Sequence, residues 1–262
     1  MALRLFRCLT CMTCFAIALS ITCATSSYGE GFRIETKVFA GEAKEPDSET
    51  TTLFLNGVVY DFLKKSQQVA VFRKPTGGKP GQFMLISDQR GILTKFSTDQ
   101  VDGTVTKMTA WAARQKDPFL QFAANPDFDE TFDDKTGKLV LTSALENYNV
   151  ETMPAEHQDA MIEYREFLDA YTRLNTLLSG GLLQPGPRLR LNSILARYKV
   201  VPIKVELTRQ GEDPLRAEHQ FTWRLSQDDQ KRIDEVRVNL SKYQEVSNEQ
   251  FIRDTKPRDK AK

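Results

Sequence analysis

Three cysteines at CxxCxxC spacing, Cys8, Cys11 and Cys14, have the residue type and interval of thiolate ligands for zinc or an iron–sulfur cluster. Their surroundings argue for a different reading. Arg4 and Arg7 come just before them, and no charged residue follows until after Ala24. Phe15, Ile17, Leu19 and Ile21 make the stretch apolar, and Ala24, Thr25, Ser26, Ser27 and Gly29 close it with mostly small side chains. A basic start, an apolar middle and a small-residue exit are the three parts of a secretory signal. The segment 1–24 is therefore expected to be a signal peptide, cleaved between 24 and 29, and the product to be exported, periplasmic or secreted. Lipidation at Cys23 would be one route to a membrane; otherwise membrane contact is expected to be peripheral only.

All four cysteines of the chain, Cys23 included, lie in that leader. The roughly 235 residues that remain must fold on their core alone, which such a length permits. Thiolate chemistry is then excluded, and neither a metal nor a cofactor is expected. The remaining nucleophile chemistry would fall to a hydroxyl activated by His157 or His219, the only histidines, and no G-x-S-x-G elbow accompanies them. His157 stands in the charged run AEHQD. His219 stands in EHQFTW, a strand-like stretch, and a hydrolase using His219 with a distant carboxylate is one alternative function. The acidic run NPDFDETFDDKTG, 125–137, has carboxylates enough for calcium but lacks the D-x-[DN]-x-[DN]-G order, and a hairpin turn ending at Gly137 explains it. KPTGGKPG, 74–81, has glycines and lysines but no helix behind it to receive a phosphate. The net charge is +1, or −1 without the two leader arginines, so no basic excess points to a nucleic acid.

The elements that would position any site read as follows. RIETKVFA, 33–40, is β-rich. In TTLFLNGVVYDFL, 51–63, Asn56-Gly57 between apolar runs is a hairpin signal. QQVAVFRKP, QFMLIS and ILTKFS continue a meander. From Ser97 the period changes: Val101, Val105, Met108 and Ala112 share a helical face. Asp117-Pro118 caps a second helix and Asn125-Pro126 ends it. Strands return over 129–150. A long helix is expected over about 155–178, striped by Met161, Tyr164, Leu168, Tyr171, Leu174 and Leu178. SGGLLQPGP, 179–187, stops it and is a candidate sub-boundary. Pro187 opens a short helix, 200–208 and 218–225 read as strands, and Ser226 with Asp229 resembles a capping box before another helix. The last residues, 254–262, are polar and read as a disordered tail. The expected class is α+β: residues 30–253 form one domain, a curved antiparallel β-sheet (meander) of eight to ten strands with helices packed on one face.

LNGVVYDFLKKSQQVAVF, 55–72, resembles the LolA/LolB-like periplasmic lipoprotein carriers: a small turn at Asn56-Gly57, the pair Tyr60-Asp61, then the strand Gln68-Val69-Ala70-Val71. The resemblance covers residues 51–96. It implies a curved half-barrel with helices over its open side and an acyl chain bound inside. The chain departs from that pattern by opening on a strand and by carrying Arg73-Lys74-Pro75 after the Tyr-Asp strand.

The function expected from these features is that of an exported, non-enzymatic envelope protein. It would bind an apolar small molecule or a lipoprotein acyl chain in its sheet. The candidate ligand-binding residues are Tyr60, Phe62, Phe72, Phe83, Phe96 and Met108, with an apolar cavity between the sheet and the 98–124 helices. A structural or interaction protein with a filled core is a further alternative.

Overall fold

The computed structural model describes residues 31–180 and 184–255. The expected leader 1–24 and its cleavage region to 29 lie outside the described residues, as do 181–183 of the connector and 256–262 of the tail. Among the described residues there are twelve strands: β1 (Phe32–Ala40), β2 (Ser48–Leu55), β3 (Val58–Leu63), β4 (Gln68–Arg73), β5 (Gln82–Ser87), β6 (Ile92–Ser97), β7 (Asp129–Asp133), β8 (Lys138–Thr142), β9 (Glu146–Pro154), β10 (Val200–Arg209), β11 (Leu215–Thr222) and β12 (Gln244–Glu245). Six α-helices accompany them: α1 (Thr98–Ala112), α2 (Pro118–Ala124), α3 (Gln158–Leu178), α4 (Gly186–Tyr198), α5 (Gln227–Asn239) and α6 (Asn248–Thr255).

All twelve strands join one open sheet in the order β12-β6-β5-β4-β3-β2-β1-β11-β10-β9-β8-β7. Two meanders make it up, β1 to β6 and β7 to β11. The antiparallel pairing of β1 with β11 welds them together, from Arg33 opposite Thr222 to Ala40 opposite Leu215. Only the two-residue β12 runs parallel to its neighbour. The expected α+β class with an antiparallel meander is what the chain forms. At the β2–β3 turn Asn56 and Gly57 both adopt positive φ, 53° and 71°, the geometry whose twist matches a tight hairpin.

The strands of the first meander alternate apolar residues on both faces, so both faces must be covered. Phe54, Val59, Phe72 and Phe83 face α1, α3 and α6, which supply Val101, Val105, Phe167, Leu174 and Phe251. Phe54 stacks on Phe32 at 4.1 Å between ring centroids and meets Phe167 edge-on at 5.8 Å. The alternate residues Leu53, Tyr60, Val71, Met84 and Ile86 face the other way, onto Ile233 and Val236 of α5. To the helices on the first face α5 thus adds a cover on the second. Its start is a complete capping box, with Asp229 taking the usual Glu or Gln place, and Arg33 binds the same carboxylate at 3.2 Å. In the second meander Leu139, Leu141, Val150 and Val205 pack on Leu191, Ile194 and Leu195 of α4. The reverse face there carries charge, such as Lys204 paired with Glu206 at 2.6 Å.

The expected limits of α2 are met, whereas α3 starts at Gln158 rather than about 155 and α4 at Gly186 rather than Pro187. The Asp117 side chain accepts from the Leu120 amide at 3.0 Å, and Asn125 ends α2. The expected stop at 179–187 overlaps the start of α4, which takes in Gly186 and Pro187, and α6 takes in Asp254 and Thr255 from the expected disordered tail.

Candidate functional site

Register brings small side chains together at the middle of the sheet. Across β3, β2 and β1 one row reads Asp61, Thr52, Ile34, and the next reads Leu63, Thr50, Thr36, then His219 of β11. A third row reads Ser48, Val38, Ala217, Val205. These positions are two apart along each strand, so they share a face, the one turned toward α3. Elsewhere on that face the sheet presents Phe54, Phe72 and Phe83. Here, among Ile34, Val38 and Leu63, it presents Thr36, Thr50, Thr52, Ser48 and Ala217, all shorter than phenylalanine. The result is a cavity of about 630 Å³ between β1, β2, β3, β10 and β11 below and α3 with the start of α4 above. That volume falls inside the range of roughly 300–1,000 Å³ typical of small-molecule sites. Helix α3 contributes Tyr164, Phe167, Leu168, Tyr171 and Asn175, at spacings that keep them on one face.

Polar groups gather at two places in this largely apolar wall. At one, Asp61 is buried and accepts from the Thr52 hydroxyl at 2.7 Å. The Tyr171 hydroxyl reaches the same carboxyl. Burial pushes the Asp61 pKa up to about 6, against the pull of those two donors. Burial, and then the neighbouring Asp61 charge, raise the Tyr171 phenol as well.

The second place centres on Arg188, in the first turn of α4. It lines the cavity together with Tyr148, Tyr164 and His219, and its charge acts on all three. The Tyr164 hydroxyl is buried without a hydrogen-bond partner among the described residues, and burial pushes its pKa up to about 12. His219 holds the Thr36 hydroxyl at 2.9 Å through Nδ1, while its Nε2 has no partner among the described residues. Burial, with Arg188 adding to it, lowers the imidazole to about 3, so the ring is neutral at physiological pH. Further along the wall, Arg209 donates to the fully buried Glu146 at 2.7 Å, beside Tyr148.

Two contacts hold α4 where Arg188 can face the cavity. Asn192 donates to Asp169 of α3 at 2.8 Å. Gly186 opens the helix so close to α2 that a Cβ there would lie 2.0 Å from the Ala123 carbonyl oxygen. Only glycine permits that approach.

The six residues singled out from sequence fall on both sides of the sheet, and none lines this cavity. Tyr60 and Phe62 face α5, where Arg237 donates to the Tyr60 hydroxyl at 3.0 Å and Arg232 lies over the Phe62 ring at 4.1 Å. Phe72, Phe83 and Phe96 belong to the packed core under α1 and α3. Met108 is half-buried on α1. Between the sheet and α1 there is a smaller recess of about 320 Å³ that touches Phe72 and Phe83. Ion pairs of Lys74 with Glu166 and of Arg173 with Asp102, at 3.6 and 3.5 Å, involve residues of its wall. The acidic run around Asp133 is the expected hairpin turn, with Asp133 accepting from the Lys135 amide and the Thr136 hydroxyl. His157 stands at the start of α3, its ring edge-on to Trp223 at 5.8 Å.

Arg188 and the short residues Thr36, Thr50, Thr52 and Ala217 are passed over in the sequence, and Asp61 enters there only as part of the Tyr60-Asp61 pair. Asp61 carries one available signal, a charged residue in the strand run VVYDFL. No protein-family model matches the sequence, and comparison with curated proteins finds no significant match.

Proposed function

We propose that the protein is an exported, non-enzymatic binding protein of the cell envelope that holds an apolar ligand in the cavity under α3. The observation that carries this reading is the patch of short side chains, Thr36, Thr50, Thr52 and Ala217, on the face that elsewhere carries Phe54, Phe72 and Phe83. A polypeptide selected only for stability fills such a space, because unfilled volume costs roughly 24 cal/mol per Å³ in core truncations. The chemistry of His219 favours binding over hydrolysis. Its Nδ1 is held by a threonine hydroxyl, whereas a catalytic imidazole is oriented by a carboxylate. The acyl chain as ligand class comes from the resemblance to lipoprotein carriers, and export from the leader sequence; both belong to the proposal.

The test is titration of the purified protein with a fluorescent fatty acid. Saturable uptake of one molecule per chain is expected, with affinity lost when Ala217→Phe fills the cavity. Absence of uptake, or uptake indifferent to that substitution, would overturn the reading.

A further inference from the structure

The groups around Arg188 say more about the ligand than its apolarity. Arg188 is half-buried and lines this largely apolar cavity. Arg188 has no carboxylate partner among the described residues, although ion pairs occur throughout the rest of the molecule, from Arg33–Asp229 at the sheet centre to Arg253–Asp254 in α6. Two further polar atoms at the same wall are orphaned, the Tyr164 hydroxyl and His219 Nε2. Buried polar atoms in native proteins nearly always have partners, so an orphaned cluster marks a place where something else supplies them. The three have compatible roles. Arg188 and the Tyr164 hydroxyl donate. In the tautomer that carries its proton on Nε2, the Thr36 hydroxyl donates to Nδ1 and Nε2 donates to the ligand.

We propose that Arg188, Tyr164 and His219 form a subsite for the carboxylate of a long-chain monocarboxylic acid, whose hydrocarbon chain lies along Ile34, Leu168 and Val205. This deepens the binding function proposed above and rests on it. The charge balance selects a monoanion. Of the arginines at the wall, Arg209 is already held by Glu146, and Arg216, next to the cavity-facing Ala217, turns to the reverse face and pairs with Glu218, which leaves Arg188 as the cation on offer. Asp61 stands in the same cavity. A phosphate dianion would exceed the available positive charge. A neutral ester would leave the guanidinium as it is now. Charge-assisted hydrogen bonds to a carboxylate are stronger than neutral ones, so the acid is favoured over its ester.

The experiment compares hexadecanoic acid, its methyl ester and a hexadecyl phosphate by isothermal titration against the wild type, Arg188→Met and Tyr164→Phe. For the wild type, the acid is expected to bind about ten- to hundredfold more tightly than the ester, the scale of one charged hydrogen-bonded contact. The phosphate is expected to bind more weakly than the acid. Arg188→Met removes the preference for the acid while ester affinity stays within about twofold. Tyr164→Phe, which keeps the ring and its packing, reduces acid affinity several-fold and spares the ester. Equal affinity of the wild type for acid and ester, or an acid preference that survives Arg188→Met, overturns the subsite while leaving the apolar cavity standing. Tighter binding of the phosphate would move the subsite to a different anion class and overturn the proposal. Failure of acid and ester alike to bind the wild type removes the binding function itself, and the subsite with it.

Discussion

The substitution Asp61→Asn is expected to stabilise the protein at neutral pH, and to do so less and less as the pH falls. The carboxyl is almost wholly enclosed, 3% exposed, and its pKa is held at about 6 against an ordinary 3.8. The cause is burial, which penalises the charged form more than the Thr52 and Tyr171 hydroxyls compensate it. A folded-state pKa above the unfolded one means that the native protein binds the extra proton between about pH 4 and pH 6. Stability therefore falls as pH rises through that window. A shift of about two units corresponds to about 3 kcal/mol, fully felt above pH 7 and absent below about pH 4. The carboxamide of the variant does not titrate. It keeps an oxygen for the Thr52 and Tyr171 donors, and any loss of hydrogen-bond strength appears as a constant offset at all pH values. The assay is thermal or urea unfolding of both proteins at half-unit steps from pH 4 to 8. The variant's advantage should grow by about 3 kcal/mol over that range, or on the order of 5–10 °C in Tm for a chain of this size. His219 titrates in both proteins and cancels from the difference. A difference curve that stays flat, or slopes the other way, would refute the assignment of Asp61 as a buried carboxylate destabilising the neutral-pH fold.

Three further outcomes are expected. The His219 pKa is lowered to about 3, so its contribution is present above about pH 6.5 and is lost as pH falls from there toward 3. His219→Gln should flatten this acid limb, read from the same unfolding series. Gly186→Ala, which forces a Cβ against the Ala123 carbonyl, should cost about 1–3 kcal/mol in urea unfolding, the scale of overpacking. Because α4 carries Arg188, the same substitution should weaken binding of a long-chain acid more than of its ester. Phe54→Ala, which removes a ring packed by Phe32 and Phe167, should cost about 3–5 kcal/mol, measured the same way.

Local rules make the scaffold legible in the sequence. Asn56-Gly57, Asp117-Pro118 and the Ser226–Asp229 pair announce a turn, a helix start and a cap, and each signal depends only on neighbours a few residues away. The class follows from grouped strands. The cavity is hidden for a different reason. Thr36 lies beside His219 because β1 pairs with β11, a contact between residues 183 positions apart. No periodicity within either segment announces that partnership. Large aromatics draw attention as a lining for an apolar ligand, yet Phe72, Phe83 and Phe96 fill the space they face. The hollow comes from short residues, Thr50 and Ala217 among them, which read in isolation as ordinary strand positions. Tyr60 and Phe62 share the β3 period with Val58 and so read as facing a single core, but the sheet has a second core under α5 and they belong to it. Arg188 is one of 36 basic residues in the chain. What sets it apart is its place on the cavity wall with the unpartnered Tyr164 hydroxyl and His219 Nε2, which only the folded arrangement reveals.

The decisive measurement is a crystal structure of the protein grown with hexadecanoic acid. One acid molecule is expected, with its chain between α3 and the β1–β11 centre of the sheet and its carboxylate against the Arg188 guanidinium. An empty cavity at saturating acid, or a chain lying on the outside of the sheet with Arg188 untouched, would contradict the proposed binding.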